Sequence, residues 1–228
     1  MQTTEQPDSF MFSSENVQLA QLIIERYPEG RQASAVIPLL DLAQRQEGWI
    51  SEPVMEVIAE LLKISSIRVL EVASFYTMFN LEPVGKHHVQ VCTNLSCWLS
   101  GSEDVVRACK DSLGVGFGET TLDGKFTLNE IECAGACVNA PVVQIDDNYF
   151  EDINYDFMTE ILDAFKKGQR PAHGSQTGRN GSCPKGGATS LSFDPTEYSK
   201  KQDLTAAKAA FEESKSRAMA KGNVKGNA

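Results

Sequence analysis

The sequence predicts an α + α/β protein, with a helical bundle first, a small α/β layer next and an extended tail at the C-terminus. Three observations predict it. Over residues 15–85, apolar residues recur at helical spacing in segments parted by serine, proline and glycine. Over 86–168, segments that alternate like strands interleave with capped amphipathic ones. From 169 to 228 the chain turns basic, and its first part is rich in Gly, Ser and Pro and almost without aliphatics, a composition that cannot bury enough to fold alone. Residues 1–14 are expected to be a flexible N-terminus, and a marginal helix is expected over 196–220.

In the first region, "ENVQLAQLIIERYPEG" puts Val17, Ala20, Ile24 and Tyr27 on one face and stops at Pro28 and Gly30. The next helix carries Leu39, Leu40 and Ala43 and closes at Gly48. Pro38 belongs in its first turn, because deeper it would break the hydrogen-bond ladder. "SEPVMEVIAELLK" has a cap at Ser51 and a stripe of Val54, Val57, Ile58 and Leu61. "SSIRVLEVASFYTMF" opens on another serine cap. These residues read as core, and no catalytic set stands among them.

In the second region, "HHVQVC" and "KFTLNEIEC" alternate like strands on either side of "SEDVVRACKDSLG", a helix that ends in glycine. "VVQIDDNYFED" predicts a hairpin turning about Asp147 and Asn148, and "NYDFMTEILDAFKKG" a closing helix. The glycines of "GVGFGETTLDG" follow a helix rather than a strand, so they read as a loop and not as a dinucleotide fingerprint.

Net charge is −10 and unevenly spread: from residue 166 onward the chain carries +7, and the part before it −17. The acidic body disfavours nucleic acid and anionic lipid, leaving the basic tail as the arm for an acidic partner. No stretch approaches the roughly 20 apolar residues of a membrane span. The opening residues lack the features of a secretory or transit signal, which predicts residence in the cytoplasm. In a reducing compartment, six cysteines suit ligands or catalysts better than disulfides.

Four of those cysteines follow the expected strands. Cys92 ends "HHVQVC", Cys97 lies five residues on, Cys133 ends "LNEIEC" and Cys137 lies four beyond. Two strand ends on one sheet edge would bring both pairs together. Four soft thiolates suit an iron–sulfur cluster or a zinc ion. A plant-type ferredoxin pattern fails at Ser100, a Rieske pattern lacks histidines beside the cysteines, and no pair has thioredoxin dithiol spacing. An iron–sulfur cluster, zinc, and disulfide or unliganded core cysteines remain open. Ala134, Gly135 and Ala136, with Ser96 and Gly101 at the first pair, would let backbone amides reach the sulfurs.

Taken together, "EVASFYTMFNLEPVGKHHVQVCTNLSCWLSG" and "ECAGACVNAP" resemble the E-type subunits of respiratory NADH:quinone oxidoreductase, complex I, whose mitochondrial counterpart is the 24 kDa subunit of the flavoprotein module. The resemblance spans residues 15–167, and "TGRNGSCPKGGATSL" extends it more loosely. It implies a thioredoxin-like domain holding one [2Fe–2S] cluster on Cys92, Cys97, Cys133 and Cys137. Cys109 then reads as a buried apolar thiol, and Cys183 falls outside the set. The resemblance further implies single-electron exchange with FMN in a flavin- and NADH-binding partner of the F type. It also implies contact with an iron–sulfur partner of the G type, in a peripheral arm on the cytoplasmic side of the bacterial inner membrane. The chain itself is expected to insert in no membrane, to bind no nucleic acid and to catalyse nothing alone. Two other readings stay open: the equivalent subunit of an NAD-dependent formate dehydrogenase or NAD-reducing hydrogenase, and a zinc-binding interaction module. Partner identity separates the first, and electron paramagnetic resonance the second.

Overall fold

A computed structural model describes residues 5–184, 186 and 187. The chain to Gly181 is one compact unit, and a second unit begins at Ser182. The helix expected over 196–220 lies outside the described residues.

The first four helices are α1 (Ser14–Glu25), α2 (Val36–Glu47), α3 (Glu52–Leu62) and α4 (Ser66–Phe75). Ser13 caps α1 by accepting from the Asn16 N–H. Pro38 stands in the first turn of α2, and Gly48 ends that helix at φ 86°, a conformation that strains any residue with a Cβ. Leu39, Leu40, Val54, Ile58 and Val69 are fully buried together. Phe10, within the stretch expected to be flexible, is buried in the same core.

Two details differ from the sequence reading. Val17 is exposed, because α1 turns Ala20, Ile23 and Ile24 inward and leaves Val17 at the rim. On α3 the buried stripe is Val54, Met55, Ile58, Ala59 and Leu62, while Leu61 faces out. Glu52, Glu56 and Glu60 form the exposed face of that helix, and the opposite face packs against α2 and α4.

The second half is a six-stranded mixed sheet covered on one face by helices. In chain order it runs β1 (His87–Cys92), α5 (Leu95–Leu99), α6 (Ser102–Leu113), β2 (Glu119–Thr120), β3 (Phe126–Ile131), β4 (Val142–Ile145), β5 (Asn148–Glu151), α7 (Tyr155–Lys166) and β6 (Gly174–Ser175). The strand order is β2-β3-β1-β4-β5-β6. Strands β1 and β3 are parallel, β4 returns antiparallel beside β1, and β6 adds to β5 in parallel. Val89, Val91, Leu128, Ile145 and Phe150 form a core with Val105 and Cys109 of α6 and Met158 and Leu162 of α7. The glycine-rich stretch after α6 is the loop into β2, as its position after a helix implies.

The hairpin turns one residue earlier than expected, on Asp146 and Asp147, and Asn148 already pairs with Ile145. The Asp146 side chain explains the shift. Its carboxylate accepts from the His88 N–H at 3.0 Å and meets His87 Nδ1 at 2.9 Å, holding the residue at φ 55°. Strand β6 lies in the stretch expected to be tail, so ordered pairing continues past α7 to Gly181. Among the described residues no helix is long and apolar enough to cross a membrane.

Candidate metal centre

Parallel pairing of β1 and β3 sets Cys92 in register with Ile131 at the same edge of the sheet. Strand β3 ends at Ile131, two residues before Cys133, so Cys133 opens the loop rather than closing the strand. Thr93 donates to the Glu130 carboxylate and ties the two strand ends together. Asn94 then caps α5, accepting from the Leu95 N–H at 2.8 Å. The short helix turns Cys97 inward, so that Cys92 and Cys97 are each 2% exposed. Five residues are too few for a periodicity signal, which is why α5 escapes sequence reading.

The second pair sits on the facing loop. Gly135 takes φ 78°, where an L side chain would be strained, and its N–H reaches Cys133 Sγ at 3.4 Å. Cys133 Sγ and Cys137 Sγ are 3.5 Å apart. That is well beyond the roughly 2.05 Å of a disulfide, and both thiols are free and exposed. Tyr149 Oη donates to the Ala134 carbonyl at 2.9 Å and fixes the loop from the sheet side. Ala134, Ala136, Ala140 and Ile131 pack with Val142 around Cys92 and Cys97.

The two pairs adjoin. Cys97 interacts with Cys92 and Cys137, and Cys133 with Cys137 and Cys92. Burial first, and then Cys92 beside it, pushes the Cys97 thiol upward. The Gly135 N–H first, and then Cys137, draws the Cys133 thiol downward. A second amide donor, the Val142 N–H, meets Cys97 from the start of β4. Nothing in the local pattern of the sequence marks it, because β4 reaches Cys97 only through the sheet. Gly101, expected among the amide donors, instead bonds its N–H to the Trp98 carbonyl and turns the chain into α6 at φ 98°.

This donor set fits a binuclear sulfur-ligated centre. Two adjoining thiol pairs can offer two sulfurs to each of two metals. Binding would deprotonate all four thiols. Cys109 is apart from them, fully buried in the α6 face of the core, where burial pushes its thiol up to about 12. Cys183 belongs to the second unit and is half-buried.

Comparison with known proteins agrees with this chemistry. The family model for the thioredoxin-like [2Fe-2S] ferredoxin matches residues 20–166. The E subunit of NADH-quinone oxidoreductase from Rickettsia conorii is 56% identical over 156 residues, which is 68% of this chain and 93% of the relative. Its counterpart in Rickettsia bellii is 53% identical over 159 residues, covering 69% and 95%. Among solved structures, an NAD+-reducing [NiFe]-hydrogenase in its H2-reduced state superposes with a TM-score of 0.51 at 15% identity, covering 58% of this chain and 22% of that one. The hydrogenase likeness carries the fold alone.

Proposed function

Since this chain belongs to the thioredoxin-like [2Fe–2S] ferredoxin family, we propose that it is an electron-transfer subunit of an NADH:quinone oxidoreductase. In this reading it holds one [2Fe–2S] cluster on Cys92, Cys97, Cys133 and Cys137. The observation that carries the reading is the meeting of four free thiols from two loops at one sheet edge.

When bound, the cluster supplies one-electron storage and release. The chain's own residues set the conditions for it. Cys92 and Cys97 shield the inner side from water, while Cys133 and Cys137 leave the outer edge open to a partner. The amides of Gly135 and Val142 point at sulfur and stabilise the negative charge that an added electron brings.

The partner surface lies around that open edge. Leu95, Trp98 and Leu99 are exposed on one side of α5, and Val138 is exposed beside Cys137. An apolar collar of this kind is costly in water and suits a docking site. Its occupant in this reading is the FMN- and NADH-binding subunit, of the F type, with an adjoining iron–sulfur subunit of the G type. The assembly is the peripheral arm on the cytoplasmic side of the bacterial inner membrane. Hydride chemistry belongs to the flavin subunit, and this chain's part is the exchange of single electrons with FMN.

Affinity purification of the tagged chain from its own cells tests the assignment. Recovery of an FMN-containing subunit together with quinone-reducing subunits is expected. Recovery of a molybdenum-dependent dehydrogenase or a hydrogenase in their place would overturn it.

A further inference from the structure

The segment after α7 does more than extend the sheet. Glu151 and Ser175 are register partners across β5 and β6. Ser175 Oγ donates to Asp152 Oδ2 at 2.6 Å and accepts from the Arg179 N–H at 3.1 Å, which folds the chain back toward the sheet edge. The Arg179 guanidinium then spans two groups. Its Nη2 meets Asp152 Oδ1 at 2.5 Å, and its Nη1 donates to the Val138 carbonyl at 3.0 Å. The ion pair is buried, with side chains 9% and 3% exposed.

Val138 directly follows Cys137, and its neighbour Asn139 is gripped as well. The Asn139 carbonyl accepts from the Asp152 N–H at 2.8 Å. Its Nδ2 donates to Glu151 Oε2 at 2.5 Å and to the Gly181 carbonyl at 2.9 Å. The exit of the second cysteine loop is therefore held to β5 by residues 174–181. That strap lies outside the residues matched by the family model, which ends at 166.

We propose that Arg179 is a positioning residue for the metal centre, fixing Val138 and thereby the placement of Cys137 through a two-point guanidinium bridge to Asp152. This rests on the [2Fe–2S] reading above. A planar fork suits the task, since a lysine ammonium can keep the ion pair but cannot hold carboxylate and carbonyl in one fixed geometry.

The test compares the full-length, cluster-loaded chain with its Arg179→Lys and Arg179→Ala forms. The readouts are the g-values of the reduced protein, the rate of cluster loss to a chelator, and amide hydrogen exchange at 134–140 in the cluster-free protein. The expected result is a shifted spectrum, cluster loss roughly tenfold faster for Arg179→Ala and a smaller change for Arg179→Lys. Faster exchange confined to 134–140 is expected alongside an unchanged far-ultraviolet circular dichroism spectrum. Should Arg179→Ala fail to fold, Arg179→Lys decides. Native g-values, loss rate and exchange in Arg179→Lys would overturn the proposal while leaving the cluster assignment intact. A parent chain with no reduced-state signal would instead overturn the assignment itself.

Discussion

Cys92 and Ile131 face each other across the parallel pair β1 and β3, and Cys133 follows Ile131 by two residues. One register thus delivers both cysteine loops to the same edge of the sheet. The distance along the chain between the two pairs becomes irrelevant once the crossover through α6 closes.

If a single centre forms where this register brings the two loops together, each of the four thiols is expected to be needed. Serine at 92, 97 or 137 is expected to abolish or strongly perturb the visible and paramagnetic spectra of the loaded protein. Cys109→Ser and Cys183→Ser are expected to leave them unchanged. Spectra of the five purified variants check this directly.

Burial of Cys109 sets an alkaline limit on stability. Its thiol is raised from 9.0 to about 12 in the fold, so the folded state retains a proton that the unfolded state releases. Its contribution is complete below about pH 9 and declines as pH rises toward about 12. Thermal melts of the parent chain and Cys109→Ala, compared from about pH 7.5 to about pH 10.5, should therefore show the parent's advantage shrinking above about pH 9. A constant difference would contradict this.

Legibility from sequence followed the range of the interactions involved. The stripe through Leu39, Leu40 and Ala43 and the closing glycines 48 and 114 are local, and they stand where periodicity and capping put them. The cysteine pairs were legible because their spacing survives without coordinates. The turn at Asp146 escapes a local reading because His87 and His88, far away in sequence, hold its carboxylate. Local composition places Arg179 in an extended tail, because its partners Asp152 and Val138 lie 27 and 41 residues away. The resemblance to E-type subunits covered what spacing left open between iron–sulfur and zinc.

The collar around the open edge has its own test. Trp98 is 52% exposed although it is one of two tryptophans in the chain. Truncation to alanine is expected to cost about 2 kcal/mol of binding to the flavin subunit, which is roughly a 30-fold rise in Kd. Calorimetry with the two purified subunits measures it, and the Trp98→Ala protein should keep a native cluster spectrum. Undiminished affinity would place the interface elsewhere.

Gly85 joins the helical half to β1 where space is absent. A Cβ there would lie 2.9 Å from backbone atoms of Phe126, and the Gly85 N–H donates to Thr127 Oγ1 at 2.7 Å. Backbone cannot yield as a flexible side chain does, so Gly85→Ala is expected to cost about 1–3 kcal/mol. Chemical denaturation of the two proteins reads the difference, and equal midpoints would refute the close approach.

The central claim, a [2Fe–2S] cluster on four cysteines, is tested most directly by metal and sulfide analysis joined to electron paramagnetic resonance of the dithionite-reduced chain, beside its Cys133→Ser form. Iron and inorganic sulfide are predicted in equal amounts, with a reduced-state signal that Cys133→Ser loses or alters. Zinc without a signal, or a signal unchanged by Cys133→Ser, would contradict the claim.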